Sequence, residues 1–280
     1  MFAKDQYQLI DFGEGKKLEL FAGVQVLRNC PAAENIVPEC PKRIRNKRLL
    51  SHSKQSMSWL NAEPEVEDWS LKHGTIKFGL KLTPFGHLGV FPEQACNWSW
   101  IQSLPFELDG LNALNLFAYT GGTSMALAAK GATVTHVDSA KNIVRWASSN
   151  AEQSGMNESP IRWIVEDAVK FVEREIRRGK QYDVIVADPP AVGHAGQKLT
   201  WKIERDLEKL VGLLSELATN EVKLILLSCH SMGFDATDLK KLVNQNFSAI
   251  GDSNVESGKM DLTSNDGRKL NCGYFLRWHC

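Results

Sequence analysis

From about residue 111 the chain alternates between short apolar runs and helix-like segments. The run 224–227 is almost entirely aliphatic, as expected of a strand that is buried on both faces of a sheet. The predicted strands are 113–117, 133–137, 161–165, 183–187 and 224–227, and the predicted helices are 123–130, 140–154, 168–178, 203–217 and one with Asp235 as its N-cap. Strands that alternate with helices form right-handed βαβ units, so we expect a doubly wound, mostly parallel α/β sheet.

Two further patterns complete this region, which we assign to 101–280. The end of the chain predicts an antiparallel hairpin from 259–262 and 270–277, with Asn265-Asp266-Gly267 at its turn. The polar, glycine-containing segment 193–200 is predicted as a loop that could close over a substrate, with Trp201 and Lys202 on its far side. Simple packing on the next helix is the alternative role for Trp201.

The pattern before residue 100 is different. Short β-like runs at 7–10, 17–21, 24–27 and 75–80 are separated by Gly, Pro and Asn, and Gly13-Glu14-Gly15 reads as a hairpin connection. The four prolines of 29–65 and its lack of periodicity predict a loop with one short helix. We therefore divide the chain into a small β-rich N-terminal region, 1–100, which is a candidate for substrate binding, and the α/β domain, 101–280.

Composition narrows the function classes. The 280 residues are 43% hydrophobic and 24% charged, which is ordinary for a folded globular protein. No run approaches the roughly 20 apolar residues of a membrane span, and no signal peptide is apparent at the start. The six cysteines are scattered, which argues against a zinc site or a disulfide scaffold and favours a reducing, cytoplasmic setting. We expect no metal and no membrane partner.

The charge balance gives no general argument for nucleic acid. Lys plus Arg and Asp plus Glu are both 33, so the formal net charge is zero. A local patch can still carry an electrostatic field, because five cations fall within 42–48: Lys42, Arg43, Arg45, Lys47 and Arg48. A solvated surface segment and an RNA-contacting patch are both consistent with this run.

Ligands of doubly wound sheets bind at the carboxyl ends of the strands, so the candidate site residues are those that follow each strand. The first strand is followed by Tyr119-Thr120-Gly121-Gly122, which matches neither the dinucleotide fingerprint nor a P-loop. Asp138 follows the second strand and could accept both hydroxyls of a ribose. Asp167 follows the third strand and could accept an adenine amino group, although an N-cap of the next helix is at least as good an explanation.

The fourth and fifth strand ends carry the candidate catalytic residues. Asp188-Pro189-Pro190 forms a rigid turn whose prolines offer carbonyls without competing N–H donors. Cys229 follows at the end of the fifth strand, where a nucleophilic thiol and a buried structural cysteine are both reasonable. His230 and His194 are candidate bases by their location.

At these residues the chain resembles class I S-adenosylmethionine-dependent methyltransferases. More narrowly, it is similar to the bacterial family that includes the large-subunit rRNA cytosine-C5 methyltransferases. The similarity extends over about 85–280 and rests on Gly89 to Gln94, Leu114 to Gly122, Val137-Asp138, Glu166-Asp167-Ala168, Val186 to Pro190 and Leu227-Ser228-Cys229. It implies a seven-stranded sheet with a C-terminal antiparallel hairpin, S-adenosylmethionine as cofactor and RNA as partner, with rRNA favoured.

The resemblance also implies a role for each matched residue. The loop 117–122 would hold the methionine part of the cofactor, Asp138 its ribose and Asp167 its adenine, while Cys229 would attack C6 of cytosine and Asp188 would contact the base. The cofactor residues expected are Gln94, Phe117, Tyr119, Thr120, Gly121, Gly122, Asp138, Ser139, Asp167, Ala168 and Asp188, and the substrate residues are Pro189, Pro190, Lys198 and Lys202. Two alternatives remain: a nitrogen methyltransferase with a structural Cys229, and a binding module without activity.

Overall fold

The computed structural model describes residues 1–62, 68–195, 198–231, 233–247, 250 and 254–280. The chain forms two compact units. The first unit contains Met1–Cys96 and Asp261–Cys272, and the second contains Asn97–Met260 and Gly273–Cys280. Among the described residues, no helix combines the length and the hydropathy that crossing a bilayer requires.

The first unit is built on a five-stranded sheet with strand order β1-β2-β3-β4-β5 and a separate two-stranded ribbon, β6-β7. Its elements are β1 (Tyr7–Gly13), β2 (Lys16–Phe21), β3 (Val24–Asn29), a 3-10 turn (Pro31–Ala33), α1 (Pro41–Ile44), β4 (Leu50–Ser53), β5 (Ser58–Leu60), β6 (Ser70–His73), β7 (Ile76–Gly79) and a second 3-10 turn (Pro92–Gln94). The loop predicted for 29–65 is thus partly wrong. Strands β4 and β5 are only four and three residues long, and they exist because β4 pairs in parallel with the distant β3.

The second unit has the expected alternation. The elements that lie wholly or partly in it are α2 (Ala95–Gln102), β8 (Asn112–Leu116), α3 (Gly122–Ala128), β9 (Thr133–Asp138), α4 (Lys141–Gln153), β10 (Ile161–Val165), α5 (Ala168–Arg177), β11 (Val184–Ala187), β12 (Val192–Ala195), β13 (Lys198–Lys202), α6 (Ile203–Leu217), β14 (Leu224–Cys229), α7 (Ala236–Asn246), β15 (Val255–Thr263) and β16 (Lys269–His279). The main sheet has seven strands in the order β10-β9-β8-β11-β14-β16-β15. Strands β8 to β11 and β14 run parallel, and β16 joins β14 antiparallel. The predicted fold class, including its closing hairpin, is confirmed.

Local signals account for most of these boundaries. Oδ1 of Asp235 accepts the N–H groups of Thr237 and Asp238, and Oδ2 of Asp238 accepts the N–H of Asp235. This reciprocal pair confirms the predicted N-cap of α7. The predicted polar loop 193–200 is wrong, since β12 and β13 pair there as a hairpin. The two strands are four and five residues long, which is too short for local periodicity to reveal this pairing.

The core of the second unit lies where α5 and α6 cover the sheet. Six residues of α6 are buried at helical spacing against the aliphatic side chains of β11 and β14: Ile203, Leu207, Leu210, Val211, Leu214 and Leu217. All six residues of β14 are buried, as predicted for its all-apolar run. This packing fixes the carboxyl end of β14, where Cys229 lies.

Gly273 is the residue that lets β16 approach the end of β14. Its φ is +147°, and a Cβ at this position would lie 2.5 Å from the carbonyl oxygen of Cys229 and 2.7 Å from the methyl carbon of Met260. Gly273→Ala is therefore expected to lower the free energy of unfolding by about 2 kcal/mol or more, through strain and backbone overlap. Urea denaturation monitored by circular dichroism measures the change.

Gly267→Ala is the matched control for this prediction. Gly267 also has a positive φ, +88°, but a Cβ there would meet no atom within 4 Å. The control variant should lose clearly less stability than Gly273→Ala. Equal losses of stability in the two variants would show that the close approach of β16 to Cys229 adds nothing to the cost of the backbone conformation.

Candidate active site

The loop after β8 turns sharply three times. Phe117 and Tyr119 have positive φ angles of 54° and 48°, and Gly121 has φ +90°. A Cβ on Gly121 would lie 3.1 Å from the Cβ of Ala147 in α4, so only glycine fits there without displacing the helix. The carbonyl of Thr120 accepts a hydrogen bond from Nδ2 of the buried Asn150, at 3.0 Å. The loop is therefore held in a single shape before any ligand arrives.

Asp138 connects this loop to the end of β9. Its Oδ2 accepts the N–H of Tyr119 and its Oδ1 accepts the N–H of Ala140, both at 3.0 Å. Burial raises the pKa of Asp138 above its usual value, although these backbone donors act in the opposite direction. Each carboxylate oxygen can accept a second hydrogen bond, so Asp138 can still receive hydroxyl donors from a ribose. The neighbouring Ser139 is exposed.

These residues fit the cofactor that the sequence predicted. A preformed turn with a buried glycine pair next to a partly buried carboxylate offers backbone groups and acceptors for an adenosine ribose and an amino-acid moiety. Bound S-adenosylmethionine would supply an electrophilic methyl group there. Phe117, Tyr119, Thr120, Gly121 and Gly122 all belong to this turn or to the first residue of α3.

Asp167 has a structural role in this conformation. Its Oδ1 accepts the N–H of Lys170, which makes it the N-cap of α5. Ala168, the first residue of that helix, is buried. The neighbouring Glu166 forms an ion pair with Arg174. The cap that the sequence analysis weighed against adenine binding is thus present, and contact of Asp167 with adenine stays a prediction.

Asp188 is the acidic centre at the ends of β11 and β14. The hydroxyl of Ser228 donates to its Oδ1 at 2.6 Å, and Nε2 of His230 lies 3.3 Å from the same oxygen. The side chain is 26% exposed, so solvent or a ligand can reach it. Sequence reasoning missed Ser228, whose position next to Cys229 on a strand places its side chain on the opposite face of the sheet.

The two prolines after Asp188 are held by an aromatic side chain. The indole Nε1 of Trp201 donates to the carbonyl of Pro190 at 2.8 Å, and the Trp201 ring packs against Phe117 with centroids 5.0 Å apart. Pro189 is buried and Pro190 is half-buried. Trp201 is buried in the core, which is the packing role that the sequence analysis gave as the alternative. It also links the turn at Pro190 to the loop after β8.

Cys229 is fully buried among apolar side chains of the core. Burial raises the pKa of its thiol to about 11, while backbone hydrogen bonds from Ser231 and Tyr274 lower it and the charge of Asp188 raises it further. The resting thiol is therefore neutral.

The remaining expected residues are Gln94, Lys202 and Lys198. Gln94 is buried in a 3-10 turn of the first unit. Lys202 is exposed, and its N–H donates to Oδ2 of Asp206 at the start of α6. The side chain of Lys198 falls outside the described residues. Their proposed contacts with cofactor or substrate remain predictions.

Comparison with known proteins identifies the family. A family model described as S-adenosylmethionine-dependent methyltransferase matches residues 19–235. The crystal structure of the SAM Dependent Methyltransferase from Agrobacterium tumefaciens is 33% identical, covers 98% of this chain and 90% of its own, and superposes with a TM-score of 0.85. The structure of SMU.776 complexed with SAH is 18% identical, covers 96% of this chain and 75% of its own with a TM-score of 0.72, and supports the fold alone.

Curated relatives carry names that refer to ribosomal RNA. The Ribosomal RNA large subunit methyltransferase K/L of Shewanella frigidimarina is 28% identical over 193 residues, which are 64% of this chain and 26% of that protein. The chain thus spans about a quarter of the length of this relative. The family model, the full-length structural match and the geometry of the strand ends agree, and the chain belongs to the S-adenosylmethionine-dependent methyltransferase family and uses S-adenosylmethionine as its cofactor.

Proposed function

We propose that the protein transfers the methyl group of S-adenosylmethionine to a base of large-subunit ribosomal RNA. The names of the curated relatives support this substrate class. The rigid turn at Asp188 supports a flat, hydrogen-bonding substrate, since a partly exposed carboxylate stands beside two prolines. A base must leave its stack to reach such a turn, so looped or single-stranded RNA suits it better than duplex. An rRNA substrate would place the protein in the cytoplasm.

We further propose carbon 5 of a cytosine as the methylated atom, with Cys229 as nucleophile. The observation that carries this proposal is the position of the Cys229 sulfur. It lies at the carboxyl end of β14, between Ser228 and His230, which both contact Asp188. Ligands of a doubly wound sheet bind at the strand ends, so a thiol at this position lies where a substrate base would enter.

The chemistry follows from the need to activate carbon 5. As the Cys229 sulfur bonds to carbon 6, the thiol proton passes by way of Asp188 to N3 of the base, and the ring electrons move so that carbon 5 becomes nucleophilic. Asp188 can hydrogen-bond the base edge while this charge develops. After carbon 5 has taken the methyl group from the sulfonium sulfur of the cofactor, a base removes the proton of carbon 5. The carbon 6–sulfur bond then breaks, and N3 returns its proton so that the thiol is restored. His230, adjacent to Cys229 and 3.3 Å from Asp188, is our candidate for that base.

Nitrogen methylation is the second candidate, and the burial of Cys229 favours it. The side chain has no exposed surface, and its pKa of about 11 leaves little thiolate near neutral pH. In that reaction Asp188 would orient the base, and Cys229 would only pack. Cytosine chemistry, by contrast, requires the segment after β14 to shift when the base enters.

The experiment uses protein-free 23S rRNA, labelled S-adenosylmethionine and mass spectrometry of the digested nucleosides. The wild type is expected to give 5-methylcytidine, and Cys229→Ala is expected to lose at least about a hundredfold in rate, because nucleophilic catalysis is removed. Calorimetry should show unchanged affinity for S-adenosylmethionine. Cys280→Ala, which removes an exposed thiol, is the matched control.

The outcomes of this experiment test the thiol mechanism and the substrate class separately. Full activity of Cys229→Ala, or a product methylated on nitrogen, would exclude the thiol mechanism and leave the rRNA substrate standing. An absence of methylated rRNA nucleosides from the wild type, together with normal cofactor binding, would contradict the substrate class itself.

A further inference from the structure

One face of the five-stranded sheet of the first unit is only partly covered. Ile44 of α1 and the half-buried Leu49 pack on Leu18 and Leu27, at one end of this face. At the other end a cross-strand row continues, in which Gln8 of β1 lies opposite Leu20 of β2, and Leu20 lies opposite Gln25 of β3. The row thus places an aliphatic side chain between two amides on the uncovered part of the sheet.

This uncovered part forms the floor of a cleft of about 390 Å³. Ile10 and Leu20 belong to its floor, and its rim includes Gln8, Gln25, Arg43 and Asn46. The volume lies within the range of small-molecule pockets, which begins at about 300 Å³. Every residue named here belongs to the first unit, and none of them belongs to the residues assigned to methyl transfer.

The polar groups of the rim can pair with a base edge. Nε2 of Gln8 donates to the carbonyl of Lys4 at 2.6 Å, which leaves its carbonyl oxygen to accept from a ligand. Oδ1 of Asn46 accepts the N–H of Arg48 at 3.0 Å, which leaves its amide N–H groups to donate. Amide side chains that offer both a donor and an acceptor match the edges of nucleobases, while aliphatic side chains contact their faces.

The charge around the cleft favours a polyanion. All five cations of 42–48 are exposed, although Arg43 lies 4.0 Å from Glu39 and Arg45 pairs with Glu14. Among the described residues, Lys42, Lys47 and Arg48 have no carboxylate within ion-pair distance, and none of those lining the cleft is acidic. In a chain of zero net charge this is a local excess of positive charge beside a base-sized cleft.

We propose that this cleft binds one unpaired nucleotide of the RNA substrate, with the basic run 42–48 on the flanking phosphates. The proposal rests on RNA as the substrate class. It assigns substrate recognition to the N-terminal unit at a defined location, with Gln8, Gln25 and Asn46 on the base edge, Leu20 on its face and Arg43 on a phosphate.

The test measures equilibrium binding of the full-length protein to a fluorescein-labelled single-stranded RNA oligonucleotide by anisotropy. Gln25→Trp fills the cleft with a residue that strands tolerate, and is expected to weaken binding about tenfold, the effect of one lost base contact. Arg43→Glu is expected to weaken binding and to reduce the slope of log affinity against log salt by about one. Affinity for S-adenosylmethionine should be unchanged in both variants.

Lys54→Glu is the matched control, because Lys54 is an exposed cation of the same unit in the turn between β4 and β5 and does not line the cleft. It should bind the oligonucleotide within about twofold of the wild type. Wild-type binding by Gln25→Trp and Arg43→Glu would overturn the cleft while leaving RNA methylation intact. Failure of the wild type to bind RNA at all would instead contradict the proposed function, and the cleft with it.

Discussion

Asp138→Ala is expected to weaken S-adenosylmethionine binding about a hundredfold. Hydrogen bonds to a charged group contribute about 1.5–3 kcal/mol each, and the loss of two ribose hydroxyl partners corresponds to about 3 kcal/mol, or two decades in affinity. The substitution also removes the acceptor for the N–H of Tyr119, so the loop after β8 loses its link to β9. Isothermal titration calorimetry with S-adenosylmethionine measures the effect.

Two controls define what this loss means. Asp138→Asn keeps one acceptor oxygen and should lose less affinity than Asp138→Ala. Glu158→Ala removes an exposed carboxylate of the same unit, between α4 and β10, and should leave affinity unchanged. Wild-type affinity in Asp138→Ala would exclude this carboxylate from the cofactor site and would assign it to loop structure alone.

The affinity for S-adenosylmethionine should also depend on pH through the ionisation of Asp138. Burial raises the pKa of Asp138, so the carboxylate becomes protonated at a higher pH than an ordinary aspartate when the solution is acidified. Cofactor affinity should therefore fall on acidification while exposed carboxylates are still ionised. For the free protein the sign is opposite: because the folded state holds this proton more firmly than the unfolded state, the stability that Asp138 contributes is lost as pH rises through the raised pKa.

Glu19→Ala is expected to lower the free energy of unfolding of the first unit by about 3–5 kcal/mol, as is usual when one partner of a buried ion pair is removed. Glu19 is fully buried, and its carboxylate accepts bonds from Nε and Nη2 of Arg28 at 2.7 and 2.9 Å and from the hydroxyl of Tyr7 at 2.9 Å. Nζ of Lys17 lies 3.3 Å away. The variant leaves the Arg28 guanidinium buried without its carboxylate. Urea denaturation monitored by circular dichroism measures the loss.

Glu14→Ala is the matched control for this prediction. Glu14 pairs with Arg45 at the surface of the same unit, where water screens the interaction, so its removal should change stability little. Burial alone would raise the pKa of Glu19, but the charges of Arg28 and Lys17 outweigh it and hold that pKa below its usual value. The contribution of Glu19 is therefore present above the unfolded pKa and is lost as pH falls through the folded one. Equal effects of Glu14→Ala and Glu19→Ala would contradict this account.

Wherever a signal was local, the sequence predicted the structure. The apolar run 224–227 forms β14, Asp235 caps α7, and Gly267 lies in the turn of the closing hairpin. Each of these depends on a few neighbouring residues whose backbone preferences agree with the final fold. The position of Asp138 at the end of its strand was predictable in the same way, because strand ends of a parallel sheet lie at one edge.

Pairing between distant segments could not be predicted. Strands β4, β5, β12 and β13 are five residues long or shorter. A run of this length is too short for apolar–polar alternation to identify it as a strand, and each is defined by its partner strand. The bond from Trp201 to the carbonyl of Pro190 likewise joins residues whose proximity depends on the β12–β13 hairpin.

The sequence by itself determined the order of strands and helices, the glycine turn after β8 and the acidic residues at the strand ends, because these follow from local backbone preference and from polarity. Only the tertiary structure decided the ionisation and accessibility of the key groups. The sequence alone places Cys229 at the end of a strand. Packing of α6, β16 and the core around it buries the sulfur and raises the pKa of the thiol. In the sequence Glu19 is an ordinary charged strand residue, and only the fold shows that it is buried in an ion pair with Arg28. Burial and pKa depend on what surrounds a side chain in space, and that information is distributed over residues far apart in the chain.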